Sequence, residues 1–422
     1  MRVTVEKIIY RGKSLARAGG KVVMSDEGLP GETIEVEPVK EKKNYTEART
    51  TGVINPSPRR TPPRCGHYRI CSPYQYMDYG LQTDIKKTQV KSTLSHHLKL
   101  DLGDITFRPS PKIWNYRNKL RLHVVREDNK PFLAYHQPGE KDRFVKIKEC
   151  FLATEGIMKA FGLITAALEA NPLPWIEEMT VRENSGATEM LLVLHGRAPG
   201  DLSGLRDVFS GVRSALPLNE IVIMDTAAGK QQIIDGKGYI EEHIGEKTFH
   251  IGADSFFQVN TGCLETLIKD MKDVFPSSGK ERIIDLYAGV GLFSVIFSDG
   301  ASEITGVEIS NENIDFFKRN IKLNGAGNIA VKEGSCGKWM PQLLKKRTDI
   351  LIVDPPRQGL GDDLCNKIIK APPGLIAYIS CDLATLTRDL KVLLGHYRVK
   401  KVIAYDFFPH TVHIETLVLL EI

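Results

Sequence analysis

A short apolar strand, Arg282-Ile283-Ile284-Asp285-Leu286, runs straight into the loop Tyr287-Ala288-Gly289-Val290-Gly291, and a helical stretch follows. A strand that opens a helix through a glycine loop lets the backbone approach a ligand closely. The next strand, Glu303-Ile304-Thr305-Gly306-Val307-Glu308, ends in an acid 23 residues beyond Asp285. Such an acid suits a ribose diol, whose hydroxyls donate hydrogen bonds. The spacing is not G-x-G-x-x-G, so the pyrophosphate logic of dinucleotide sites does not apply, and a tight turn without a ligand is the alternative. A helix through Asn324 and the strand Asp349-Ile350-Leu351-Ile352-Val353-Asp354 continue the rhythm. Strands alternating with helices predict a mostly parallel, doubly wound α/β sheet.

In such a sheet, ligands gather beyond the carboxyl ends of the strands. Two further motifs fall there. Asp354-Pro355-Pro356-Arg357 closes one strand, with the prolines stiffening the chain and Asp354 free to accept from a base or cofactor. Leu375-Ile376-Ala377-Tyr378-Ile379 ends in Ser380-Cys381-Asp382, which brings a thiol to the same edge. A cysteine so placed is a candidate nucleophile. Near the end, Phe408-Pro409-His410-Thr411-Val412-His413-Ile414-Glu415 precedes the strand Thr416–Leu420, and burial among apolar neighbours would raise Glu415 and suit it to proton abstraction. Asp254-Ser255-Phe256-Phe257-Gln258-Val259-Asn260 precedes the α/β part and adds a Gln between aromatic and apolar groups. Each has a plainer alternative: a rigid turn, a packed thiol, a satisfied carboxylate.

The front of the chain reads differently. Residues 1–55 hold short alternating stretches between Gly-rich turns, which predicts a small β-barrel. Asn55-Pro56-Ser57-Pro58-Arg59-Arg60-Thr61-Pro62-Pro63 marks a boundary, because consecutive prolines can continue neither a helix nor a central strand. Residues 82–100 look helical and carry Lys86, Lys87 and Lys91. Trp114-Asn115-Tyr116-Arg117-Asn118-Lys119-Leu120-Arg121 interleaves aromatic and basic groups, which fits stacking on bases with Arg117 and Arg121 on phosphates, or else an amphipathic edge strand. Residues 1–150 hold 29 Lys/Arg against 17 Asp/Glu, a net of +12, while the remainder holds 28 against 35, a net of −7. A basic front on an acidic back points to a polyanion-binding module. The chain has no apolar run long enough for a membrane span and no secretory pattern at its start, so a cytoplasmic protein with thiols rather than a disulfide framework is expected.

Taken together and in order, the motifs resemble the bacterial RNA (uracil-5-)-methyltransferase family, whose pattern reads S-F-F-Q-V-N, D-L-Y-C-G-V-G, G-V-E, D-P-P-R-x-G, S-C and H-V-E. Here these are Ser255 to Asn260, Asp285 to Gly291, Gly306 to Glu308, Asp354 to Gly359, Ser380-Cys381, and His413 to Glu415, with Ala288 in the place of the family's Cys. Leu29-Pro30-Gly31-Glu32 and Pro56-Ser57-Pro58-Arg59 are similar to a TRAM domain, and Trp114 to Lys119 resembles the family's Y-R-N-K element.

The resemblance implies an OB-type TRAM barrel over 1–60, a cysteine-bearing segment and central α/β RNA-binding domain over 61–250, and a Rossmann-like methyltransferase domain over 251–422, with about 84–112 packing on the last. It implies S-adenosyl-L-methionine as cofactor, bound by Gln258, Tyr287, Gly289, Gly291, Glu308 and Asp354. Phe256, Arg117, Arg121 and Asp354 would meet the RNA, Cys381 would be the nucleophile and Glu415 the base. The RNA would be 23S ribosomal RNA or, alternatively, the T-loop uridine of transfer RNA, with no membrane and no obligate protein partner. Family members with a TRAM domain often hold a four-iron–four-sulfur cluster. Cys65, Cys71 and Cys150 match three of its ligand positions and Tyr74 stands at the fourth, so a cluster and a set of packed thiols are both open. Amino methylation of adenine is the rival chemistry, but it favours an aromatic where Arg357 stands. A non-catalytic RNA-binding or assembly protein is the rival of another class.

Overall fold

The structure, a computed structural model, describes residues 1–137, 143–276 and 278–422. The chain divides into two compact units, Met1–Ile113 with Ile403–Glu415, and Trp114–Val402 with Thr416–Ile422.

In the first unit the strands Arg2–Ile8, Ser14–Ala18, Lys21–Ser25, Thr33–Glu41 and Tyr45–Asn55 form a closed barrel. Period-two alternation sends Val3, Val5, Ala16, Val23, Ile34, Val36 and Ala48 inward. Closure comes from the first strand, which pairs antiparallel with both the second and the fourth. Glu32 is fully buried and binds the segment after the barrel: Arg60 donates to both of its oxygens at 2.8 and 2.7 Å, and the Ser57 amide donates at 2.9 Å. The two TRAM-like motifs are therefore halves of one hydrogen-bonded joint.

The helix Tyr79–Leu98 follows, started by Asp78, whose carboxylate accepts from the Leu81 amide. Its buried face is unusually polar: Gln82, Lys86 and Gln89 lie among Ile85, Val90 and Leu94. The short strand Thr106–Arg108 runs parallel to Ile403, Ala404 and Tyr405.

The second unit begins with a seven-stranded sheet in the order Lys230–Asp235, Leu218–Asp225, Met190–Gly196, Ile176–Glu183, Lys119–Glu127, Lys130–His136, Phe144–Lys146. Leu120, Leu122 and Val124 face the same core as Phe161 and Ile164 of the helix Glu155–Ala170. Lys119–Glu127 is an interior strand of this sheet, so the edge-strand alternative for the Trp114–Arg121 run is corrected. Its alternation had suggested an edge because one face is basic, yet pairing on both sides leaves that face open and the backbone satisfied.

The second sheet runs Ile329–Glu333, Ala301–Glu308, Glu281–Leu286, Ile350–Val353, Leu375–Ser380, Glu415–Glu421, Arg398–Tyr405. The first five strands are mutually parallel, and Leu375–Ser380 meets Glu415–Glu421 antiparallel. The chain winds outward from Glu281–Leu286 in one direction, then returns to its other side with Ile350–Val353. That reversal creates the crevice in which a doubly wound sheet binds ligands.

Candidate active site

The carboxyl ends of Glu281–Leu286, Ala301–Glu308 and Ile350–Val353 present a cradle. Asp285 is completely buried, and its Oδ2 accepts from the Ser294 amide at 3.0 Å and from the Ser294 hydroxyl at 2.7 Å. Its Oδ1 is buried with no hydrogen-bond partner among the described residues, and burial pushes the acid up to about 7. Tyr287 follows with φ 61°, a strained setting for a side chain of that size. Gly291 caps the helix Leu292–Ile296 at φ 86°, where a Cβ would run into the ring of Phe317. The Gly289 amide donates to Glu308 Oε2 at 2.8 Å, while the amides of Ile309 and Ser310 donate to Oε1, both at 2.8 Å. The acid is thus fixed beside the glycine loop with one acceptor site left on Oε2, and exposed Ile309 lies next to it. A strained loop, a held acid and an unused buried oxygen fit a nucleoside whose diol donates to Glu308.

Asp354 ends the neighbouring strand. Burial pushes it up to about 7, with the Asp285 carboxylate adding to the effect. Gln258 is buried, and Phe256, two residues earlier, is 64 % exposed. Their loop is held from below. The Asn118 amide donates to Val259 O at 3.1 Å, the Asp254 amide donates to Glu312 Oε1 at 3.0 Å, and Phe257 packs 5.9 Å from Phe249. Sequence reasoning missed this support. Arg182 and Glu242 are buried, Arg182 Nη2 donates to Phe257 O at 3.5 Å and Asn118 Nδ2 donates to Glu242 Oε2 at 3.4 Å, and burial pushes Lys119 down to about 7 with Arg182 adding to the shift. The available signal was the pair Lys119 and Arg182, which are polar positions on strands whose other face is apolar.

In the antiparallel pair, Ser380 stands opposite Thr416. Cys381 is the next residue after the one and Glu415 the residue before the other. Cys381 is half-buried and outside any disulfide, and Glu415 is 3 % exposed. Arg117 and Arg121 part company: Arg117 Nε donates to Lys119 O at 3.1 Å, while Arg121 is on the open face of the central sheet, where its Nε donates to Glu178 at 2.6 Å.

The cysteine segment does not fit an iron–sulfur cluster. Tyr74, at the fourth ligand position, is fully buried among Ile8, Leu29, Met77 and Ile85. Cys65 accepts from Gln75 Nε2 at 3.3 Å, and Cys150 belongs to the apolar core of the central sheet. Among the described residues, no three His, Cys, Asp or Glu side chains are grouped as a metal ion requires.

A mostly parallel sheet whose glycine loop faces a strand-ending acid defines the catalytic domain of an S-adenosylmethionine-dependent methyltransferase. Residues 78–422 match the tRNA (uracil-5-)-methyltransferase family, and the chain belongs to it. An RNA methyltransferase of Halalkalibacterium halodurans without an assigned target is 30 % identical and covers 100 % of this chain and 97 % of its own. A counterpart from Aquifex aeolicus is also 30 % identical, covering 100 % and 98 %. The solved Pyrococcus abyssi tRNA (uracil-54, C5)-methyltransferase, in complex with S-adenosyl-L-homocysteine, matches over 100 % of both chains with a TM-score of 0.78 at 24 % identity. S-Adenosylmethionine is the cofactor of this family of RNA-modifying enzymes.

Proposed function

We propose that this chain methylates C5 of a uridine in RNA through a covalent bond between Cys381 and C6 of the base. The observation that carries the reading is the strand pair that sets Ser380 opposite Thr416, with a thiol next to one and a buried carboxylate next to the other. C5 of uracil is a poor nucleophile. Addition of the Cys381 thiolate to C6 moves the ring electrons so that C5 becomes enolate-like and able to take up a methyl group. Bound S-adenosylmethionine supplies that methyl on a sulfonium. Glu415 then removes the C5 proton, the C5–C6 double bond reforms, and the C6–S bond breaks to return the thiolate. Phe256, exposed two residues before Gln258, offers a stacking face to the extruded base, and Asp354 and Gln258 offer hydrogen bonds.

The uridine must be unstacked before C6 is accessible, so the target lies in a loop or is flipped out. Our first reading of the substrate is large-subunit ribosomal RNA. The second, a T-loop uridine of transfer RNA, is favoured by the Pyrococcus enzyme, which acts on tRNA and matches this chain from end to end. The test is mass-spectrometric nucleoside analysis of ribosomal and transfer RNA from cells with and without the gene. Loss of 5-methyluridine from one pool, restored by the wild type and not by Cys381→Ala, is expected and names the substrate. Unchanged 5-methyluridine in both pools overturns the proposal.

A further inference from the structure

Lysine is almost never fully buried without a specific partner. Lys86 and Asp406 are both completely buried, with the ammonium 2.6 Å from Asp406 Oδ1, and the same ammonium donates to Phe408 O at 3.0 Å. One turn earlier, Gln82 Oε1 accepts from the His410 amide at 2.9 Å and Gln82 Nε2 stands 3.0 Å from His410 Nδ1. One turn later, Gln89 Nε2 donates to Ile8 O and Ile9 O at the end of the first barrel strand, at 3.3 and 3.0 Å. Spaced i, i+4 and i+7, the three side chains share one face of the helix Tyr79–Leu98. That face grips the barrel at one end and residues 406–410 at the other.

The gripped segment has no regular structure between Tyr405 and Glu415. His410 is held at φ 64°, and the Tyr74 amide donates to His410 O at 2.9 Å. A non-glycine residue in that region persists only when its surroundings over-determine it. Replacing a buried ion pair by apolar side chains of similar size is often neutral for stability, so the role argued for Lys86 with Asp406 is directional: to fix one conformation of the segment. The segment ends at Glu415.

We infer that Lys86, with Gln82, is a positioning residue for proton abstraction: it holds residues 406–414 in the one shape that aims Glu415 at the C5 proton. Neither side chain touches a reacting atom. The inference rests on the reaction proposed above, and it predicts a specific lesion. Without the clamp, addition to C6 and methyl transfer proceed, the C5 proton is not removed, and the C6–S bond cannot break.

The experiment uses the full chain with transcripts of 23S ribosomal RNA and transfer RNA and S-adenosylmethionine labelled in its methyl group, resolved on denaturing gels. Glu415→Gln is the reference and should retain label in a covalent protein–RNA complex. The double variant Lys86→Met/Asp406→Leu, which leaves no charge buried, and the milder Gln82→Met should both raise the labelled complex roughly tenfold or more over wild type. Methyl incorporation in a single turnover should stay within about threefold of wild type. Complex in Glu415→Gln but not in either clamp variant overturns the inference and leaves the reaction intact. A loss of incorporation in the clamp variants that merely tracks their loss of folded protein also overturns it. Absence of complex from Glu415→Gln itself overturns the reaction, and the clamp with it.

Discussion

Single residues here are governed by what surrounds them more than by what they are. His195 lies on the central sheet, 7 % exposed, with Nε2 3.1 Å from Thr180 Oγ1. Burial pushes it down to about 4, and Arg121 and Lys119 add to the shift. Between that value and its ordinary 6.5, the unfolded chain binds a proton that the folded one does not. The stability His195 contributes is therefore complete above pH 6.5 and is lost as pH falls toward 4. From neutrality to a pH of about 5 the wild type should lose about 2 kcal/mol relative to His195→Gln, which does not titrate. Urea unfolding of both proteins at the two pH values checks this, and the difference cancels the opposing titration of buried Asp285. Residues of this kind were not legible in the sequence. Cys381 and Glu415 stood out because each abuts an apolar strand, whereas Lys86 stood in the sequence only as one of three lysines, with Lys87 and Lys91, on a helical stretch.

Elements carry the site as joined pairs. The helix Leu383–Leu393 begins directly after Cys381, capped by Asp382, which accepts from the Ala384 and Thr385 amides. The same helix fastens the loop that follows Asp354. Asp389, completely buried, accepts from the Leu360 amide at 2.7 Å, the Gly361 amide at 3.2 Å and Tyr378 Oη at 2.7 Å. Thr385 Oγ1 donates to Arg357 O at 3.0 Å, and Arg388 Nη2 to Gln358 O at 2.7 Å. Asp389→Ala leaves the buried Tyr378 hydroxyl and the partly buried Leu360 and Gly361 amides without their acceptor. It should destabilise the chain by about 2–3 kcal/mol, read from the shift of the denaturant midpoint. The strands at this site were legible because their apolar runs are short and bounded, and most of the helix Tyr79–Leu98 was legible because residues 82–98 hold no Gly or Pro. The joint between Glu32, Ser57 and Arg60 was not, although both of its sequence motifs were visible, because nothing local says that one acid serves a segment about 25 residues away.

At the scale of the whole molecule, charge is the dominant sequence-level fact. The net of +12 over residues 1–150 should make RNA binding strongly salt-dependent. If about five phosphates are neutralised, affinity for unmodified substrate RNA should fall about 10²-fold between about 50 and 200 mM monovalent salt. Filter binding across that range checks it, and a flat response would remove the basic front from RNA recognition.

The sequence by itself determined the α/β class, the barrel at the front, the order of the catalytic motifs and the membership that follows from them. These depend on local periodicity, on glycine where backbone must yield, and on residue types tied to one chemistry. Tertiary structure alone decided which side chains support the motifs. A buried ion pair joins residues 320 positions apart, a sheet interior takes a run that alternates like an edge, and Tyr74 fills an apolar pocket where a thiolate would have been needed. Each of these outcomes depends on desolvation and on partners brought together by folding, and neither quantity is encoded in any short window of the chain.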